Sequence, residues 1–214
     1  MATIGEHISN IRVRLGNAGF DDDGLSDQFL YSQLNLASAI IVSRVTNSHK
    51  KLSDWCWTTY PVPLVEVNKD LYSCETIPER CRVLESTFEI PKALTARNKM
   101  LFKVYTNSEM LSEGNPSILQ FDPIKAGKAS WEIFNGKLRI YNNRVLRAIE
   151  VKGVWADPIA WKTKNYCGTE LDECLDFNSE YYPLTVEEYQ QMAYDIVLQG
   201  LGIPLQQETK NNPH

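Results

Sequence analysis

The apolar residues of this chain keep a helical period at both ends and abandon it in the middle, and that change of period limits the possible folds more than any single motif. Ile4, Ile8, Ile11 and Leu15 recur at spacings of four, three and four, which lays one apolar stripe along a first helix. The run GNAGFDDDGLSD then interrupts the pattern with glycines and aspartates, the chemistry of a turn. A second helix is expected from about Asp27 to Ser48, capped by Ser26, because Leu30, Leu34, Ala37, Ile41 and Val45 keep the period; Phe29, Leu36 and Ile40 widen its stripe. Two helices joined by a short polar turn form an antiparallel hairpin.

From Trp55 onward prolines, aromatics and β-branched residues take over in short runs. Strands are expected near Trp55 to Tyr60, Leu64 to Val67, Arg82 to Ser86, Met100 to Tyr105, Trp131 to Phe134, Leu138 to Tyr141 and Leu146 to Val154. The clearest signal is WEIFNGKLRIYN, in which Asn135-Gly136 supplies the two residues that tolerate positive φ in a type I′ turn. A short helix is expected within FDPIKAGKAS, entered at Asp122 with Pro123 in its first position. The helical period returns after Thr185, taken as the cap, with Val186, Tyr189, Met192, Ala193, Ile196 and Val197; Gly200, Gly202 and Pro204 stop it.

The order helices, strands, helix predicts an α+β fold in which the N-terminal helical hairpin and the C-terminal helix pack together beside a β-rich small sheet or barrel. The expected organisation is a hairpin over residues 1–52, a β-rich domain over 53–160, a loop over 161–183, and a C-terminal helix and arm over 184–214. A chain of 214 residues can bury such a core without staples.

Charge and cysteine content narrow the function. With 22 Lys plus Arg against 27 Asp plus Glu, the basic footprint of a nucleic-acid binder is missing. No stretch is apolar long enough to span a bilayer, and MATIGEHISNIRVRL lacks the continuous apolar run of a secretory signal, so a reducing cytoplasm is the expected compartment. Cys74 and Cys81 in CETIPERC stand seven positions apart, as do Cys167 and Cys174 in CGTELDEC. Structural zinc sites place paired ligands two to four residues apart, so free thiols are the main reading, while a shared metal site and an intrapair disulfide stay open as minor ones. Cys56, between Trp55 and Trp57, reads as a small core hydrophobe.

The motifs of catalysis are missing. Aligned on Gly24, an EF-hand reading of DDDG puts Gly19 and Leu30 at its end ligands and fails at both. The three histidines, His7, His49 and His214, have no ligand spacing, and no nucleophile elbow or phosphate-binding glycine loop occurs. Neither an enzymatic activity nor a cofactor is therefore expected. Lys137, Arg139, Arg144 and Arg147 with Tyr141 form a candidate basic strip, more often a solvated strand face. The five tryptophans mark either a core or a buried interface.

An ordered series of soft motifs, LSDQFLYSQLNLASAIIVSR, VPLVEVN, EIPKAL, FDPIKAGKAS, FNGKLRIYNN, GVWADP and YPLTVEEYQQMAYDIVLQGLGIP, covers most of residues 4–204. In that order the chain resembles the head-to-tail adaptor or ring proteins of short-tailed bacteriophages, most closely those of crAss-like phages. WCWTTY and CGTELDEC fall outside the pattern. The resemblance implies a structural protein of the virion, at the tail and portal vertex and assembled in the host cytoplasm. Its partners would be further copies in a ring of about twelve-fold symmetry, the portal, and neighbouring tail or ring proteins. Genomic DNA would pass through the lumen without being read; the acidic net charge motivates the expectation of an acidic lumen wall. No catalytic, cofactor or membrane role carries over. Expected interface residues are the outward side of the second helix and Leu198, Leu201, Ile203 and Leu205, where a Gly- and Pro-interrupted apolar segment leads into a polar tail suited to ordering on a partner. Another tail-tube or ring component of the same vertex is the nearest alternative, followed by a nucleic-acid or glycan-binding module.

Overall fold

Among the residues that the computed structural model describes, 2–20, 24–67, 83–106, 109–114, 128–141, 146–162 and 176–203, three long helices flank a β-rich middle. Helix α1 spans Ile4–Asn17, α2 spans Asp27–Asn47 and α3 spans Glu187–Gly200. Their apolar stripes meet in one core that joins Ile4, Ile8, Ile11 and Leu15 to Leu30, Leu34, Ala37 and Ile41, and to Ala193, Tyr194, Val197 and Leu198. The hairpin and the distant C-terminal helix thus form a single helical layer, the expected α+β arrangement.

The helix starts follow local chemistry. Thr3 and Glu6 form a capping box on α1: the Thr3 hydroxyl accepts from Glu6 N–H at 3.2 Å, and the Glu6 carboxylate accepts from Thr3 N–H at 2.9 Å. Ser26 accepts from Phe29 N–H at 3.2 Å, as expected for α2. At α3 the expected cap is corrected, because the helix begins one residue later than a Thr185 cap requires. Val186 occupies the cap position in extended conformation with no side-chain bond, leaving Glu187 and Glu188 in the first turn to favour the helix dipole.

The middle is an eight-stranded sheet that is nearly closed. Its strands are β1 Thr58–Glu66, β2 Val83–Ser86, β5 Phe102–Thr106, β6 Glu109–Met110, β7 Ser112–Glu113, β8 Ser130–Phe134, β9 Lys137–Tyr141 and β10 Ala148–Gly153; β3 Thr95–Ala96 and β4 Lys99–Met100 form a separate two-stranded ribbon. The sheet order is β6-β5-β10-β1-β2-β9-β8-β7. Its two terminal strands, β6 and β7, are separated only by Leu111, so one stretch of chain serves both edges and folds the sheet into a barrel. Among the described residues, near-closure leaves only the two-residue strands β6 and β7 as edges on which other strands could pair. The inward positions fill the barrel with Val62, Leu64, Leu84, Phe102, Val104, Leu138, Ile140, Ile149 and Val151 around Trp131, Trp155 and Trp161.

Strand β1 corrects the expected break at its prolines. Leu64 donates its N–H to Arg147 O at 2.8 Å, whereas Pro63 O accepts from Thr87 N–H at 3.2 Å, so even-numbered residues face β10 and odd-numbered ones face β2. Pairing with β2 begins only at Leu64. Pro61 and Pro63 therefore turn their hydrogen-free nitrogens to the β2 side before the ladder with β2 begins, which is how a nine-residue strand carries two prolines. The expected strand at Trp55 is instead a 3-10 turn over Asp54–Cys56. Asn135 and Gly136 both have positive φ, 50° and 76°, as the predicted hairpin requires. Arg97 and Asn98 make an equivalent turn between β3 and β4 at 51° and 61°. The expected short helix near Asp122 lies outside the described residues.

Val42, Leu52, Cys56 and Val154 make a small core between the two layers. The Tyr31 hydroxyl on α2 donates to the Asp157 carboxylate at 2.6 Å, and Tyr60 of β1 donates to Pro158 O at 3.3 Å. One segment is thereby stitched to both layers.

Candidate functional site

The expected interface residues divide by location. On α2, Phe29 and Leu36 lie seven positions apart on one face and are 40% and 56% exposed, with Ile40 half-buried on the same side. At the C-terminal end of α3, Leu198 and Ile203 are buried in the helical core and Leu201 packs against it. Their apolar surface is covered within the chain, and a truncation at residue 200 would strip two of these three from the core. Leu205, Cys74, Cys81, Cys167 and Cys174 lie outside the described residues.

A cavity of about 40 Å³ sits between the layers, lined by Ile41, Val42, Leu52, Cys56, Leu94 and Val154 among others. It is small and mainly apolar, with Ser38, Ser53 and Thr58 also in its wall. Burial pushes the Cys56 thiol up to about 12, which makes it an inert core group as its sequence setting suggested. Three tryptophans answer the core-or-interface question in favour of core: Trp131, Trp155 and Trp161 are all buried. Trp161 stacks on Tyr60 at 4.9 Å and meets Trp155 edge-on at 4.8 Å.

The anticipated basic strip does not form a free cationic surface. Arg139 is buried on the outer face of β9 and donates to Glu85 of β2 at 2.9 Å, and Lys137 reaches the same carboxylate at 3.2 Å. Burial acts to raise the Glu85 carboxyl, but the hydrogen bonds and charges of Arg139 and Lys137 outweigh it and hold the carboxyl below its ordinary value. Tyr141 is buried and donates to Glu132. The Arg139 guanidinium lies 3.8 Å from the centre of the Phe134 ring. Arg147 is exposed, and Arg144 lies outside the described residues.

A different cationic group comes together from three separate segments. Lys103 of β5 and Lys152 of β10 are directly opposite in the antiparallel register, on the outer face of the barrel. Lys51 approaches from the connection after α2, and with Leu52, Asp54 and Trp57 these residues line a pocket of about 190 Å³. The Lys103 ammonium stands 5.2 Å from the centre of the Trp57 ring. Sequence reading missed this pocket because its lysines are far apart along the chain, and only the pairing of β5 with β10 joins two of them. The alternation in AIEVKG, which turns Glu150 and Lys152 outward, was the one local signal.

His7 of α1 is a further buried polar side chain. It is fully buried in the helical core, its Nδ1 is 2.7 Å from the Tyr194 hydroxyl, and its Nε2 has no hydrogen-bond partner among the described residues. Burial lowers its pKa to about 4, against a smaller opposing effect of Glu6, so it is neutral at physiological pH.

Among the described residues no three His, Cys, Asp or Glu side chains are placed to share a metal ion, and no helix is long and apolar enough to cross a membrane. No protein-family model matches the chain, and no curated protein matches it.

Proposed function

We propose that this chain is a virion structural protein, a subunit of a head-to-tail adaptor ring beneath a bacteriophage portal, through which genomic DNA passes. The observation that carries the reading is the outward face of α2. A ring needs two different, complementary patches on each subunit, since its contact is heterologous and must close. Phe29 and Leu36 are large apolar side chains left exposed on a helix whose opposite face is fully used in the core, and they supply one such patch. The ordered motif series, which spans most of the chain, supplies the family. In this reading the helical layers pack side by side around the ring and the barrels extend toward the tail.

Native mass spectrometry of the full chain, alone and co-expressed with the portal protein of the same phage, tests the reading. A closed oligomer in either arm is expected. Leu36→Asp should abolish it while leaving the melting transition unchanged, because the side chain is exposed. A chain that stays monomeric in both arms overturns the reading. Truncation for portal docking should begin at residue 204, so that Leu201 and Ile203 keep their intramolecular contacts.

A further inference from the structure

We infer that the pocket bounded by Lys51, Lys103, Lys152 and Trp57 binds a phosphate-bearing ligand, with a single-stranded polynucleotide the favoured source. The inference stands on the pocket alone and does not depend on the ring reading. Like charges set directly opposite on adjacent strands destabilise a sheet, and Lys103 and Lys152 are such a pair. An anion bridging the two would remove that cost. No salt bridge to Lys51, Lys103 or Lys152 occurs among the described residues. The carboxylate in the pocket wall is Asp54, and Glu150 stands two residues from Lys152 on the same outward face of β10. Three ammonium groups against one lining carboxylate leave the pocket cationic on a chain whose net charge is −5.

The side chains that line the pocket suit a phosphate-bearing ligand. Lysine ammoniums are compact point charges suited to phosphate oxygens. Trp57 adds a half-buried indole beside them, and a cationic groove with an aromatic platform is the combination that holds single-stranded nucleic acid. The pocket has a volume of about 190 Å³. It is also open to solvent through the exposed Lys51, Asp54 and Lys103.

Fluorescence anisotropy of a labelled oligothymidylate, titrated with the full chain over a range of salt concentrations, tests the site. Inorganic phosphate, pyrophosphate and poly-glutamate serve as competitors. Binding should weaken with salt, and Lys103→Gln/Lys152→Gln should lower the slope of log affinity against log salt by about 1.4, the share of two phosphate contacts on a single strand. Lys137→Gln, which removes a cation already engaged with Glu85, should leave the slope unchanged. Trp57→Leu should weaken binding at unchanged slope. Both double-variant lysines stand at the surface, and a melting curve verifies its fold. If pyrophosphate or phosphate binds and the oligonucleotide does not, with loss in the double variant, the ligand is a small phosphate and the site stands. Three results overturn it: no binding of any phosphate, equal binding by wild type and double variant, or tighter binding of poly-glutamate than of every phosphate probe.

Discussion

In the helical layer, each element brings to the core residues that recur at a helical spacing, Ile4, Ile8, Ile11 and Leu15 on one stripe and Leu30, Leu34, Ala37 and Ile41 on another, although α3 meets them from the far end of the chain. In the barrel, contacts join remote segments, as when Tyr60 stacks on Trp161 and Phe102 meets Trp131 edge-on at 5.0 Å. The helical core is chiefly aliphatic and fills by repetition. The barrel core is centred on three indoles and fills by interlocking shape, so its stability depends on fewer, larger pieces. Losing one of those pieces should hurt more than losing one repeat of the helical stripe.

The largest expected effect tests that contrast directly. Trp161 is fully buried and touches Tyr60, Trp155 and Phe88, so Trp161→Ala should cost about 3–5 kcal/mol. Leu34→Ala in the helical layer should cost about 2–4 kcal/mol. Urea unfolding followed by near-ultraviolet dichroism for the tryptophans and far-ultraviolet dichroism for the helices measures both. Because Val42, Leu52, Cys56 and Val154 join the layers, the two probes should report one coincident transition in each variant. Separate midpoints would show that the layers unfold independently.

Next in size is the polar pair on the barrel's outer face. Glu85→Ala leaves the buried Arg139 without the carboxylate it holds at 2.9 Å and should cost on the order of 3 kcal/mol. The double replacement Glu85→Leu/Arg139→Leu should recover most of that loss, because no charge is then buried without its partner. A double-mutant cycle in urea checks it, and additive losses would remove the pair from the account of barrel stability.

Acid separates the two regions as well. The His7 pKa is about 4 folded and about 6.5 unfolded. Between those values the unfolded chain binds a proton that the folded chain refuses, so stability is full above pH 6.5 and falls as the pH drops toward 4. The loss should reach on the order of 3 kcal/mol. Glu85 behaves with a different window: its folded pKa is depressed below 4.5, so its contribution persists to lower pH and goes only as the carboxylate protonates. Urea midpoints between pH 7 and 4 should therefore decline in the wild type, and His7→Asn should flatten that decline. An unchanged decline would assign the acid sensitivity elsewhere.

The same contrast explains what the sequence could reveal. The α+β order, the second helix with its Ser26 cap and the Asn135-Gly136 hairpin are local patterns, and each was legible. The passage of β1 through Pro61 and Pro63 was not, because a proline's cost in a strand depends on which side its nitrogen faces, and that is decided by partners elsewhere in the chain. Barrel closure through β6, Leu111 and β7 was hidden for the same reason: two-residue strands carry almost no period. Among candidate site residues, Phe29 and Leu36 widen the α2 stripe in the sequence, and their exposure follows only from the core's use of the opposite face. The lysine pocket required the register of β5 on β10. Arg139 shows the converse, a basic residue that reads as surface and is buried against Glu85.

The smallest expected effect lies at the helix starts and contrasts two ends of one layer. At α1 the capping box satisfies N–H groups in both directions between Thr3 and Glu6, and Thr3→Ala removes the acceptor for Glu6 N–H, which should cost about 1 kcal/mol. The α3 start has no side-chain acceptor at Val186, so Val186→Asp should act with the opposite sign: it supplies an acceptor for an orphan N–H and places a negative charge at the positive end of the helix dipole. The adjacent Glu187 and Glu188 oppose part of that gain by like-charge repulsion, which makes Val186→Ser the cleaner comparison. Thermal melts of Thr3→Ala and Val186→Ser should move in opposite directions by a few degrees. A Val186→Ser variant that melts lower would mean that the half-buried Val186 side chain contributes more through packing than a cap would return, and the helix would owe its start to tertiary contact instead of local capping.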